Sequence, residues 1–410
     1  MSATATDGVH DSQGRLATAA GAAFLVLVAS LAGSIAPMGI ATALAAALTL
    51  AWLALAPHPA WPRTPVEPAA LGWLVALLLV SACALDRAAS FPRVVKGFMP
   101  LLVPLAAFHA RDAVRGRRAL AVYLAAAGLV AVYGLLVWLG KGASFESRAR
   151  GLAGHYMTFG GQLLLEIPVA LAVSLTARTR GWRLGAAAVA LLAFVSLAAT
   201  FTRSAWLGLF VACALILGAT RPRGLLVLAG AGLAAWFLAP GAWGARLHSV
   251  VDPRNLWNRE RVFMWEAGVR MFRDHPLTGV GLQDLHALYD QYRSPDSVER
   301  AGHLHDAYVQ IAASMGLVGL AAFTWLYASL LRAAWGGLGA GRGDTRASFA
   351  ARVRGGGVGA GVRLGVTAAL AGFLVAGLFE WNFGDEELLY QLYTLVGLAW
   401  AARLWEETAT

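Results

Sequence analysis

The sequence predicts an all-α, polytopic membrane protein, and three observations carry that reading. Hydrophobic residues make up 58% of the 410 positions and charged residues only 14%, too apolar a balance for a water-soluble chain of this size. Apolar runs recur at about the 20 helical residues that a bilayer core of roughly 30 Å demands. One long polar stretch, Gly241 to Asp306, interrupts them.

In chain order the apolar runs lie near 16–35, 38–56, 70–86, 92–110, 118–140, 158–177, 183–200, 203–219, 223–240, 304–331, 362–382 and 386–404. They predict about twelve transmembrane helices with one large external helical loop. The chain then divides into helices one to nine over 1–240, the loop over 241–303, and the last three helices over 304–410. The first run has Asp7 and Asp11 before it, only Arg15 as a positive flank, and further spans after it. It reads as the first span rather than a cleaved signal peptide. Cys83 and Cys213 both fall inside predicted spans, so they form neither a disulfide framework nor a metal spacing.

The net charge of +10 does not point to nucleic acid, because the basic residues lie between apolar runs and no nucleic-acid module is present. Topology explains it better. With the N-terminus cytoplasmic, the inside loops hold Arg111, Arg115, Arg117 and Arg118, then Arg178, Arg180 and Arg183, then Arg221 and Arg223, then Arg332 through Arg363. An even number of spans returns the C-terminus to the cytoplasm and leaves 241–303 outside. The segment Gly336 to Gly361, rich in Gly and Arg without apolar periodicity, reads as a mobile loop at the inner surface.

The external loop carries Arg246, Arg254, Arg259, Arg261, Arg270, Arg273, Arg293 and Arg300, and is too long for the positive-inside rule to govern. Its arginines therefore need another explanation. Within it, Leu256 to Phe272 alternates apolar and charged residues at helical spacing, with Glu266–Arg270 and Arg270–Asp274 as i,i+4 pairs. An amphipathic helix on the outer surface or roofing a cavity follows, ended by the turn formers Pro276, Gly279 and Gly281.

Chemistry-bearing residues collect at the loop's margins. His303 and His305 precede an apolar helix. On that helix they would point about 200° apart, which makes a joint metal site improbable unless the helix starts after His305. The positive end of the helix dipole favours a neutral ring there, available as a base, while a plain interfacial histidine is the alternative. Arg203, Arg148, Arg150 and Arg261 stand at external helix ends, where a guanidinium snorkels or grips an anion; its fork suits a diphosphate. Asp306 can orient a ring or cap the helix. Glu380, Asp385, Glu386 and Glu387 can neutralise arginines, bind acceptor hydroxyls or form a solvated turn. No Asp-x-Asp, Walker or zinc-protease motif occurs, which disfavours cytoplasmic nucleotide chemistry.

Three stretches together resemble the superfamily of O-antigen ligases and O-antigen polymerases. They are Thr200-Phe201-Thr202-Arg203-Ser204-Ala205-Trp206-Leu207-Gly208; Arg261 with Trp265 leading to His275-Pro276-Leu277-Thr278-Gly279-Val280-Gly281-Leu282; and His303-Leu304-His305-Asp306-Ala307-Tyr308-Val309-Gln310 followed by Gly316-Leu317-Val318-Gly319-Leu320. They span about the central third of the chain. Asp306 stands where the family commonly has Asn.

The resemblance implies a multispanning enzyme of the bacterial inner membrane, both termini cytoplasmic, that moves a glycan from an undecaprenyl diphosphate carrier on the periplasmic face. One large periplasmic loop without an appended domain looks more like the ligase, whose acceptor is the lipid A-core oligosaccharide. Polymerases and protein O-oligosaccharyltransferases share the motifs. The match falls more strongly on His305 than on His303. The implied roles are His305 as base and Arg203 and Arg261 on the diphosphate, with Arg148, Arg150, His303, Asp306 and Tyr308 around the substrates. One base and no carboxylate nucleophile point to a single inverting step without metal or cofactor. Membrane lipids are the other expected partner. A lipid-linked oligosaccharide flippase or other transporter is the rival class, predicting charge near the midplane or on both sides.

Overall fold

The computed structural model describes residues 3–336, 338 and 349–405, with no side-chain description for 3–13 and 352. Every described element is helical, as the composition requires: a chain crossing hydrocarbon must satisfy its backbone internally. In order these are α1 (Ala3–Ser30), α2 (Ile35–Leu55), α3 (Glu67–Cys83), α4 (Arg87–His109, tightened to a 3₁₀ helix over Phe91–Leu101), α5 (Ala113–Gly140), α6 (Tyr156–Thr176), α7 (Arg180–Thr200), α8 (Arg203–Thr220) and α9 (Gly224–Leu238). The polar loop holds α10 (Gly241–His248), α11 (Leu256–Asp274) and α12 (His286–Tyr292); α13 (Ala307–Trp335), α14 (Phe349–Gly355), α15 (Gly357–Gly377) and α16 (Glu386–Ala401) follow.

Each predicted apolar run is a helix, but the expected count of twelve spans is not reached by length and apolarity. Eight described helices are long and apolar enough to cross a membrane, or nine when α9 and α10, bent by 107° at Ala239–Pro240, are taken as one broken span. The shortfall has a simple cause. The apolar part of α1 and all of α3 are among the shorter apolar helices, and α16 has 16 residues. The Gly/Arg-rich segment predicted as a mobile loop lies partly outside the described residues, at 337 and 339–348. Its described part includes α14, whose Phe349 ring stacks on Trp335 at 5.8 Å.

The bundle is centred on α6 and α15, whose apolar windows are 83% and 78% buried, whereas the window of α2 is only 28% buried. Polar termini fix the ends. Asp112 caps α5 through the Arg115 amide, and Asp306 caps α13 through the amides of Tyr308 and Val309 at 2.8 and 2.9 Å.

The second motif of the polar loop is explained by a break in α13. Gly316 has φ 61° and ψ −154°, interrupting the helix, and the backbone groups this releases pair with residues 276–281. Leu317 and Val318 donate to the oxygens of Pro276 and Leu277 at 2.9 and 3.1 Å. Val280 and Gly281 donate in turn to Ala313 and Ser314, both at 2.9 Å. A Cβ at Gly279 would lie 2.3 Å from the Ser314 backbone, and one at Gly316 would lie 2.4 Å from the Leu277 oxygen. Both positions also have positive φ, so glycine is required twice over.

Candidate active site

The amphipathic helix is present as α11, which buries Met264, Ala267 and Met271 on one face against α12 and α13 and turns Arg261 towards a cavity. Glu266 pairs with Arg270 at 3.9 Å, as its spacing requires. The expected Arg270–Asp274 pair does not form; Asp274 accepts from the Tyr292 hydroxyl at 2.9 Å. A buried carboxylate anchors the rest of the loop: Glu260 accepts from Ser297 Oγ at 2.7 Å and from the amides of Val298 and Glu299.

Helix α13 begins at Ala307, after both histidines, so the 200° separation expected on a helix does not apply. His305 takes φ +48°, a left-handed conformation costly for any residue but glycine, and this turn brings the rings of His303 and His305 edge to face at 4.2 Å. His305 Nδ1 lies 3.0 and 3.2 Å from the two Glu380 oxygens, and Arg261 Nη2 lies 3.7 Å from Oε2 of the same carboxylate. Burial raises the Glu380 pKa, but the hydrogen bond from His305 and the charges of His305, Arg261 and His303 outweigh it and hold the carboxyl below its ordinary value. His303, desolvated and beside His305, is lowered to about 4, and its Nδ1 has no partner among the described residues.

Arg203 opens α8 two residues after Phe201, whose left-handed backbone ends α7 and whose ring is buried among Phe145, Trp206 and Trp243. Its guanidinium donates to Ser249 O at 2.8 Å, Ser249 Oγ at 3.0 Å and Asn258 Oδ1 at 2.9 Å. Arg148 is sandwiched between Phe145 and Tyr156, 4.0 and 4.2 Å from their centroids. Arg246, one of the loop arginines but not among the predicted site residues, donates to Phe201 O at 3.1 Å and lies 5.4 Å from the Phe145 ring. Arg148, Arg203, Arg246 and Arg261 are close enough to repel one another; Arg203 and Arg246 have no ion-pair partner among the described residues, and Arg148 lies near the exposed carboxylate of Glu146. Positive charge gathered this way is destabilised by mutual repulsion, which an anion bound between the guanidiniums would relieve.

The cavity beside them measures about 880 Å³. Arg203, Arg261, Asn258 and Asp252 line its polar side, and most of the rest is apolar, including Phe194, Trp206, Phe210, Trp236, Trp243 and Trp265. It has one charged rim and a long apolar wall.

The other predicted residues divide. Asp306 is a helix cap. Tyr308 donates its hydroxyl to Leu374 O at 2.8 Å and meets Phe323 edge-on, so its polar atom is engaged within the protein. Arg150 is exposed and, with Arg148, Glu380 and His305, surrounds His155, a ring the motif reading passed over. Of the acidic cluster, Glu386 pairs with Lys96 at 3.0 Å, and Asp385 accepts from Thr158 Oγ1 at 2.9 Å. Burial, only partly offset by that hydrogen bond, pushes Asp385 up to about 7, with Glu380 and Glu387 adding to the rise. Glu380 was legible as an acidic neighbour; its bond to His305 depends on a contact 75 residues distant.

Ligand atoms of His303, His305 and Glu380 lie within 4.8 Å of one another, the geometry that could hold a cation. The Arg261 guanidinium already lies against the same carboxylate and opposes a second positive charge there. Residues 187–324, from α7 into α13, match the O-antigen ligase family model and include Arg203, Arg261, His303, His305, Asp306 and Tyr308. No curated protein matches the chain.

Proposed function

We propose that this chain, a helical membrane protein of the O-antigen ligase superfamily, transfers O-antigen polysaccharide from undecaprenyl diphosphate to the lipid A-core oligosaccharide. The transfer is a single inverting, metal-independent step at the periplasmic face of the bacterial inner membrane. The observation that carries the reading is the His305–Glu380 pair against Arg261, which with Arg203 lines a largely apolar cavity while Arg148 and Arg246 stand close by. A polyprenyl diphosphate has the same division: a dianionic head and a long apolar tail.

Glu380 accepts from His305 Nδ1–H, which fixes the ring and leaves Nε2 with the lone pair. Nε2 takes the proton of the acceptor hydroxyl as that oxygen attacks the anomeric carbon. The bond from that carbon to the diphosphate oxygen breaks, and its electron pair leaves with the diphosphate. Arg203 and Arg261, backed by Arg246 and Arg148, meet the charge that develops there. Glu380 stabilises the imidazolium until its proton is released. Twelve crossings with both termini cytoplasmic belong to this reading, the shorter helices being completed by flanking residues.

The test is purified protein with lipid-linked glycan and lipid A-core, with and without chelator. Transfer is expected in both. His305→Ala is expected to lower the rate by about 10²–10⁴-fold while the donor still binds. Undiminished ligation in that variant removes the base assignment, and loss on chelation removes metal independence. A transporter would use charge inside the bundle and leave the His305–Glu380 pair without a task; donor crossing a vesicle membrane without forming product would favour it.

A further inference from the structure

The turn that sets up the candidate base also assembles a set of metal donors. The ligand atoms that His303, His305 and Glu380 offer lie within 4.8 Å of one another. His305 Nδ1 stands 3.0 and 3.2 Å from the two Glu380 oxygens, and His303 Nδ1 is buried with no hydrogen-bond partner among the described residues. Two donors of a tetrahedral zinc ion, each bonded at about 2.0–2.1 Å, stand roughly 3.3 Å apart. One edge of such a site is therefore in place, and at most about 1.5 Å of side-chain movement closes the rest.

Two imidazoles and one carboxylate suit zinc, whereas magnesium and calcium take shells of oxygen alone. The His305 side chain is 27% exposed, so an ion has a way in. Arg261 weakens the site without closing it. Its guanidinium stands at 3.7 Å from Glu380 Oε2, while Oε1 meets the His305 proton and the Trp381 amide. An ion between His305 Nδ1 and Oε1 takes the place of that proton and leaves the amide bond alone.

We propose that His303, His305 and Glu380 form an inhibitory site for a zinc ion. The binding does not depend on the transfer reaction; the inhibition rests on the reading of His305 as the base. A neutral imidazole carries one proton on its two nitrogens. Zinc at Nδ1 takes the lone pair there, so the ring proton passes through solvent to Nε2, and Nε2 has no lone pair left for an acceptor hydroxyl. The ring neither gains nor loses a proton overall, and no covalent bond of either substrate changes. Zinc-free and zinc-bound rings are thus the working and idle forms of one turn.

The experiment uses the full chain in detergent, stripped with chelator and titrated with zinc chloride, with the heat of binding and the transfer of lipid-linked glycan both followed. Wild-type transfer is expected to fall to the His305→Ala rate and to recover on chelation. His303→Gln, compared with its own metal-free rate, is expected to need at least about tenfold more zinc and to bind it at least about tenfold more weakly. His286→Gln removes another histidine–carboxylate pair of the loop, with Asp284 at 2.7 Å, and is expected to keep the wild-type response. A zinc response unchanged in His303→Gln or lost in His286→Gln overturns the site, and transfer lost on chelation overturns its inhibitory role. Should no transfer occur with or without zinc, the transfer reading fails and binding alone decides: weaker zinc binding in His303→Gln supports the site, and equal binding overturns it. Should His303→Gln fail to fold, the same binding comparison is made with His305→Ala.

Discussion

Arginines sit at both ends of this helical bundle, and the two ends use them differently. At the end away from the cavity, four of them finish a helix. Arg363 donates to the oxygens of Trp335 and Gly336 at 2.9 and 2.6 Å, Arg178 to Gly355 O, Arg111 to Phe108 O and Arg403 to Trp400 O. Where two approach there, as Arg111 and Arg115 do, Asp112 lies alongside. At the cavity end Arg203 and Arg246 also reach helix-end carbonyls, but they crowd against Arg148 and Arg261, and among the described residues the ion pair of this group is Arg261 with Glu380, which His305 shares. Residue type does not separate an anchor from a binding group; the charges around it do.

The contrast can be tested by loss of function at one end and loss of stability at the other. The largest effect is expected from Glu380→Gln, which frees His305 to rotate and removes the charge opposite its imidazolium. Turnover should fall by roughly 10²–10³-fold with donor affinity nearly kept. A larger fall in donor affinity than in turnover would make Glu380 a partner of Arg261 instead. Arg203→Lys keeps the charge and loses the fork, so the donor Michaelis constant should rise about 10- to 100-fold. Wild-type kinetics there would reduce Arg203 to an anchor. Arg363→Gln should do the reverse, costing about 1–3 kcal/mol of stability while folded enzyme turns over normally.

The smallest effect is one of pH. Between about 4 and 6.5 His303 binds a proton in the unfolded chain but not in the folded one, so its contribution makes stability rise with pH. Between 3.8 and about 7 Asp385 holds its proton in the folded chain but not in the unfolded one, so its contribution falls as pH rises. The two oppose each other. Asp385→Asn should expose the His303 slope, about 1.4 kcal/mol per pH unit, as a melting temperature that climbs from pH 4 to 6.5. A variant whose pH profile overlays the wild type would show that Asp385 does not carry its proton in the fold.

Much of this was legible because membrane solvent writes a strong pattern. Every apolar run is a helix, α11 lies where 3.6-residue spacing put it, and Arg203 and His305 stand at helix ends. Span number was less legible, since helices such as α16 reach a bundle's full depth only with polar flanking residues. The Glu380–His305 bond, the gathering of Arg246 with Arg148 and the Gln162–Gln391 contact join positions 75, 98 and 229 residues apart, and periodicity carries no information at that range. Tyr308 and Asp306 sit inside the best-matched motif, yet their polar atoms serve the backbone.

The interruption of α13 at Gly316 ties the seating of that helix to the arm at 276–281. The backbone groups opened at this break have no partner within the helix, and the preceding arm supplies them. Docking of that arm and seating of the helix thus become a single cooperative event, and the histidine turn cannot be assembled ahead of it.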